Sequence, residues 1–119
     1  MAADDYEVIV YKVLSYLYAC IKSGVRPSVA KAKELANVND VYWDVVVQGM
    51  LDKGLITAVP MRGWHSSDYL NMQITADGAF YVKENSKMTE VRAFLGRAFE
   101  AIIESAVAAT IAYGAGTML

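Results

Sequence analysis

Residues 39–56 read NDVYWDVVVQGMLDKGLI, and the way this stretch ends decides the fold. Trp43, Val46, Val47 and Met50 recur at i, i+3, i+4 and i+7, one face of a helix with a 3.6-residue period. Asn39 or Asp40 supplies the N-cap. Gly54 supplies the left-handed residue that stops a helix. Leu55 and Ile56 then open an extended run. A helix that passes through one glycine straight into a strand is how a winged helix-turn-helix moves from its third helix into its wing.

The flanking sequence fits that frame. Asp4 or Asp5 caps a first helix running to about Ser23, with Val10, Val13, Leu14, Leu17 and Ile21 as its core stripe and Tyr11, Ser15, Tyr18 and Lys22 on the other face. Gly24 ends it. The GVRP segment after it suits a brief edge strand, because Pro27 biases Arg26 away from helix. Ser28 caps a second, short helix with Val29, Ala32, Leu35 and Ala36 inward. Residues 55–61 and 69–74 read as two antiparallel strands. In the second, Leu70, Met72 and Ile74 are the expected buried set, alternating with Tyr69, Asn71 and Gln73. The polar loop RGWHSSD between them is the wing tip.

Thr75 caps a fourth helix packing through Ala79, Tyr81 or Val82, with a break at Asn85-Ser86. Thr89 is the expected cap of a long last helix stopped by Gly114 and Gly116. Its expected stripe is Val91, Leu95, Ala98, Ile102, Ala106 (or Ser105), Ala109 and Tyr113, widened by Phe94, Phe99 and Ile103. The fold class expected is therefore α+β: a winged helix-turn-helix over residues 1–88 and an extra C-terminal helix over residues 89–119, read as a dimerisation arm. At 1.5 Å per residue this helix reaches roughly 35 Å, more than the small domain needs for its own core. The other packing for it is in the same chain, over the Tyr11/Tyr18 face of the first helix.

The stretches MLDKGLI (50–56) and ITADGAFYVKENSKM (74–88) add a resemblance. A strand ending in Ile-Thr, a glycine three residues on, an aromatic three further and then Glu-Asn-Ser is similar to the YjcQ family of small proteins from Gram-positive bacteria and their phages. The hydrophobic pattern of the first helix, VIVYKVLSYLYACI, matches it too. The resemblance covers about residues 6–88. It implies a winged-helix fold, a bacterial or prophage setting and no catalytic residues to carry over.

Composition narrows the function. The chain has 119 residues, enough for one domain. Its 55% hydrophobic content is high beside 20% charged residues, so some apolar surface is expected to meet another chain. The net charge of -2 supplies no global basic field to draw the protein to nucleic acid. Residues 1–8, MAADDYEV, are acidic, unlike the basic start of a signal peptide. No apolar run reaches the ~20 residues of a membrane span. Cys20 is the sole cysteine, which suits a reducing cytoplasm. His65 is the sole histidine and nothing places it beside Cys20. Neither metal-ligand spacing nor a glycine-rich phosphate loop occurs, so no enzyme activity and no cofactor are expected.

DNA binding by a dimer is the first functional expectation. Its candidate residues are Lys31 and Lys33 on the second helix, Asn39, Tyr42 and Gln48 on the third, and Arg62, Trp64 and His65 in the wing. The candidate dimer interface is Leu95, Phe99, Ile102, Ile103, Ala106, Ala109 and Tyr113. The alternative is a protein-interaction module that uses the third helix and wing without touching DNA. Asp40 and Asp44 favour it, since they would face phosphates and the third helix lacks arginine.

Overall fold

The computed structural model describes the backbone of residues 1–61 and 68–117, with side chains through residue 112. The order is α1 (Tyr6–Lys22), α2 (Val29–Ala36), α3 (Asp40–Asp52), β1 (Ile56–Pro60), β2 (Tyr69–Ile74), α4 (Ala76–Glu84) and α5 (Ser86–Thr117). This is an α+β winged helix-turn-helix with a long final helix.

Short polar side chains start α2 to α5, whereas the expected cap of α1 is corrected: Asp5 stands at its N-cap without a side-chain bond to the first turn. The Ser28 hydroxyl accepts from the Lys31 amide at 3.2 Å, and the Asn39 side chain accepts from Tyr42 at 2.8 Å. The Asn85 side chain accepts from the amides of Lys87 and Met88, so α5 begins directly after α4, three residues before the expected Thr89 cap. Each cap satisfies backbone donors that the first helical turn leaves open.

The α3–β1 junction is held from the far side of the hairpin. Gly54 turns left-handed at φ 70°. The Thr75 hydroxyl donates to the Gly54 carbonyl at 2.6 Å and accepts from the Gly78 amide at 3.0 Å. The Thr75 amide donates to the Leu55 carbonyl at 3.0 Å. Gly78 is buried with that carbonyl in the space a Cβ would occupy. The glycine therefore serves close approach: it lets the first turn of α4 lie on the backbone that leaves α3.

Two expectations for the sheet are corrected. Val25–Ser28 forms no strand, so the described sheet has only β1 and β2. The hairpin pairs Ile56 with Ile74 and Thr57 with Gln73, but then Val59 with Leu70 and Pro60 with Tyr69. Two steps along β1 thus match three along β2. Asn71 absorbs the extra residue at φ 53°, a left-handed conformation that asparagine tolerates. The bulge reverses the faces beyond it. Tyr69 and Met72 point inward and Leu70 turns out, 49% exposed, against the simple alternation expected.

The core is built around α1. Val8, Ile9, Val10, Tyr11, Val13, Leu14, Tyr16, Leu17 and Cys20 are all buried, while Ile21 is not. The Tyr11 face is covered by α5, with the Tyr11 and Phe99 rings 5.9 Å apart. The last helix thus packs in cis, and its expected stripe is corrected. Gly96, at φ 69° and ψ -167°, breaks the helical path of α5. Beyond this break the buried residues are Phe99, Ile103, Ala106, Val107 and Thr110; Ala98, Ile102 and Ala109 face out.

A single hydrogen-bonded chain fastens this distal half. The Ser28 amide donates to the Tyr16 hydroxyl at 3.0 Å. Tyr16 and Thr110 hydroxyls lie 2.7 Å apart, and Thr110 donates its one proton to the Ala106 carbonyl at 2.8 Å, so Tyr16 must be the donor between them. Wholly buried Tyr16 thereby ties the start of α2 to the end of α5.

Two substitutions test this packing. Gly78→Ala should lower unfolding stability by about 1–3 kcal/mol, since the new methyl must displace Leu55 backbone; urea denaturation at unchanged cooperativity measures it. Tyr16→Phe removes one oxygen and should cost about 1–2 kcal/mol by orphaning the Ser28 amide. Hydrogen exchange should then quicken in the distal half of α5 and at the start of α2.

Candidate functional site

The face of α3 turned away from the core carries Val41, Val45, Gln48 and Asp52, at helical steps of four, three and four. Val41 is 77% exposed and Val45 56%. Apolar side chains this open on successive turns of one helix contribute nothing to the core of their own chain.

Both flanks of this stripe are fixed and acidic. On the wing side, buried Tyr69 donates its hydroxyl to the Asp44 carboxylate and accepts from Gln48 Nε2 at 3.1 Å. The bulge at Asn71 is what turns Tyr69 inward to make these contacts. Asp40, one turn earlier, is paired with Lys33 at 2.7 Å. On the α1 side, the Tyr42 hydroxyl donates to the Asp4 carbonyl at 2.6 Å, which lays the acidic start of the chain along α3. Tyr42 feels it: partial burial, then the charges of Asp4, Asp5 and Glu7, push its hydroxyl above the ordinary tyrosine value. Further along, the Tyr6 hydroxyl occupies the space beside Gly49 that any larger residue would fill. Toward α2 the surface continues into an open groove of about 610 Å³, whose lining includes Lys33, Val38, Met61 and Tyr69.

The residues expected to meet DNA are thus dispersed into internal contacts. Asn39 caps its own helix, Tyr42 holds the N-terminal segment, and Gln48 holds the wing tyrosine. Lys33 is paired with Asp40, and Lys31 with Glu34 at 3.3 Å. Arg62, Trp64 and His65 lie outside the described residues. Of the expected dimer face, Phe99, Ile103 and Ala106 are buried against α1 and Leu95 is half-buried. Ile102 and Ala109 remain outward, and the side chain of Tyr113 lies outside those described. Val41 was missed by sequence reasoning. The available signal was its spacing, four residues before Val45 and off the Trp43–Met50 stripe. Asp4 gave no such signal, because only the fold brings it to α3.

Among the described residues no group of three or more His, Cys, Asp or Glu is placed to hold a metal ion, so the carboxylates around α3 do not form such a cluster. No helix among them is long and apolar enough to cross a membrane.

A family model described as YjcQ protein matches residues 11–96. The chain belongs to the YjcQ family. The match ends at Gly96, where α5 breaks, so the distal half that packs on α1 lies beyond the YjcQ region. No curated protein and no solved structure matches the chain. The quoted YjcQ-like residues Thr75, Gly78 and Asn85 all act on backbone here, as cap, close contact and cap.

Tyr69 offers a test of the flank. Burial first, then its bond to Asp44, raises its hydroxyl above the ordinary value of 10.0, so folding favours the neutral phenol. That contribution is complete below the unfolded value and fades as pH rises through the folded one. Tyr69→Phe should cost about 1–2 kcal/mol at neutral pH and flatten the loss of stability seen in alkaline titration by circular dichroism.

Proposed function

We propose that this YjcQ protein is a non-enzymatic interaction module that holds a protein partner on α3 and the adjoining wing, without DNA contact. The observation that carries the reading is the stripe of Val41 and Val45 between carboxylates, on the helix face that would otherwise enter the major groove. DNA affinity comes mainly from neutralising phosphates. Here Asp40 and Asp44 stand where cations are needed, and Lys31 and Lys33 are already paired. Exposed apolar residues with a polar border suit a protein interface. A cytoplasmic setting in a bacterium or its phage belongs to the same proposal, supported by the family and by a single buried, free cysteine, Cys20.

A second reading, a DNA-binding dimer acting in regulation, is favoured by the fold itself. The helix-turn-helix and wing stand in the arrangement many regulators use. The outward flank of α5 at Ile102 and Ala109 leaves room for a second copy to double the sparse cations.

Fluorescence anisotropy with a labelled duplex separates the two readings. We expect no binding at physiological salt and none at low salt. Binding that strengthens as salt falls, and weakens on Lys31→Glu with Lys33→Glu, would establish the second reading instead. Light scattering on Ile102→Lys and on the parent chain should give the same mass under the first reading and different masses under the second.

A further inference from the structure

We infer that the partner held on α3 is a basic amphipathic segment: an apolar side that covers Val41 and Val45, with lysines or arginines along its edges. The inference rests on the protein-interaction reading and names the chemistry of its partner.

Charge complementarity selects this occupant. The valine stripe runs between two acidic borders. Asp40 and Asp44 form the one beside the wing, and Asp4 and Asp5 the one beside α1, with Asp52 closing the far end of the stripe. Lys33 offsets Asp40, and Lys87 lies 3.7 Å from Glu7, but Asp4, Asp5, Asp44 and Asp52 have no lysine or arginine within ion-pair distance among the described residues. Lys53 sits beyond the stripe, at the C-cap of α3. Tyr42 lies within this surface, where partial burial first, and then the nearby charges of Asp4, Asp5 and Glu7, raise its hydroxyl.

This field rejects the other occupants. A second copy docked on the same face about a twofold axis would set these carboxylates against one another. An anionic lipid surface or a duplex would meet the same repulsion. A basic amphipathic helix meets none of it. Its apolar face packs on the valines at i and i+4, and its long cationic side chains reach the carboxylates on either border.

The two borders are also held in place. Tyr42 fixes the N-terminal segment through the Asp4 carbonyl, leaving the carboxylates of this segment outside that bond. Tyr69 fixes Asp44 from the wing. The face is therefore presented to a partner with little ordering left to do.

The experiment uses the full chain and four probes: an amphipathic helical peptide of about 18 residues made of leucine and lysine, its leucine–glutamate counterpart, a scrambled leucine–lysine peptide with no apolar face, and a DNA duplex. We expect the amphipathic basic peptide to bind at least about tenfold more tightly than the other three, a gap of ~1.4 kcal/mol. Its affinity should fall as salt rises. Val41→Ser with Val45→Ser should remove that preference while leaving the melting temperature within about 2 °C, because exposed sites contribute little to folding. Asp52→Lys should weaken binding without unfolding the chain.

If the acidic peptide binds as well as the basic one and the valine variant abolishes both, the charge assignment falls while the interaction reading stands. If the scrambled peptide binds as tightly as the amphipathic one, the valine stripe is not the site and the inference falls. If the duplex alone binds, both readings fall. If no probe binds, the basic amphipathic partner is rejected.

Discussion

The contact between Gly78 and the Leu55 carbonyl sets the geometry on which the other elements depend. α3 ends, the chain reverses through Gly54, and the wing departs; once the hairpin is complete the chain must come back to the same place. It does so because the hydroxyl and amide of Thr75 bond to the backbone of Gly54 and Leu55, and because Gly78 has no side chain to hold α4 away. A glycine in a helix gives up about 1 kcal/mol relative to alanine. That cost is recovered where α4 docks against the α3–β1 turn, since the hairpin is then closed at its base and its register is set. The backbone-directed use of Thr75, Gly78 and Asn85 also explains why a short polar signature identifies this fold without saying what it does.

The readable part of the fold was the part written in local periodicity. The Trp43–Met50 stripe, the Gly54 stop and the caps at Ser28, Asn39 and Thr75 depend on residues within a few positions of one another. The misreadings came from single residues that interrupt the pattern. Asn71 inserts one residue into β2 and exchanges the faces of Tyr69 and Leu70. Gly96 interrupts α5, and beyond it only the Phe99 and Ile103 side of the expected stripe is buried, while Ala98 and Ile102 stay out. A period of two or of 3.6 predicts which residues share a face only until such a residue intervenes. Neither asparagine nor glycine announces from composition alone that it will do so.

The candidate site was less legible, for a different reason. Residue types that read bases in DNA complexes were present on α2 and α3, and their chemistry was assigned as if they were free. Folding uses Asn39 as a cap, Tyr42 as a clasp and Gln48 as part of the wing contact. On the proposed reading, the functional content of α3 then lies in two exposed apolar residues, Val41 and Val45, and in carboxylates delivered by a distant segment. Sequence spacing reaches the valines. It cannot reach Asp4, which meets α3 only through a bond spanning 38 positions.

The bond between Tyr16 and Thr110 spans 94 positions, and this bears on the order in which the molecule forms. α1 is the most enclosed helix, yet much of what encloses it comes from the last quarter of the chain. Contacts so distant in sequence form slowly, because loop-closure entropy is lost before they are made. A chain emerging from the ribosome presents α1 well before α5, with an apolar surface that Phe99, Ile103 and Val107 have not yet arrived to cover. Completion of this fold therefore waits for synthesis to pass Thr110. Until then, the segment that becomes the centre of the protein exposes apolar surface that is open to aggregation.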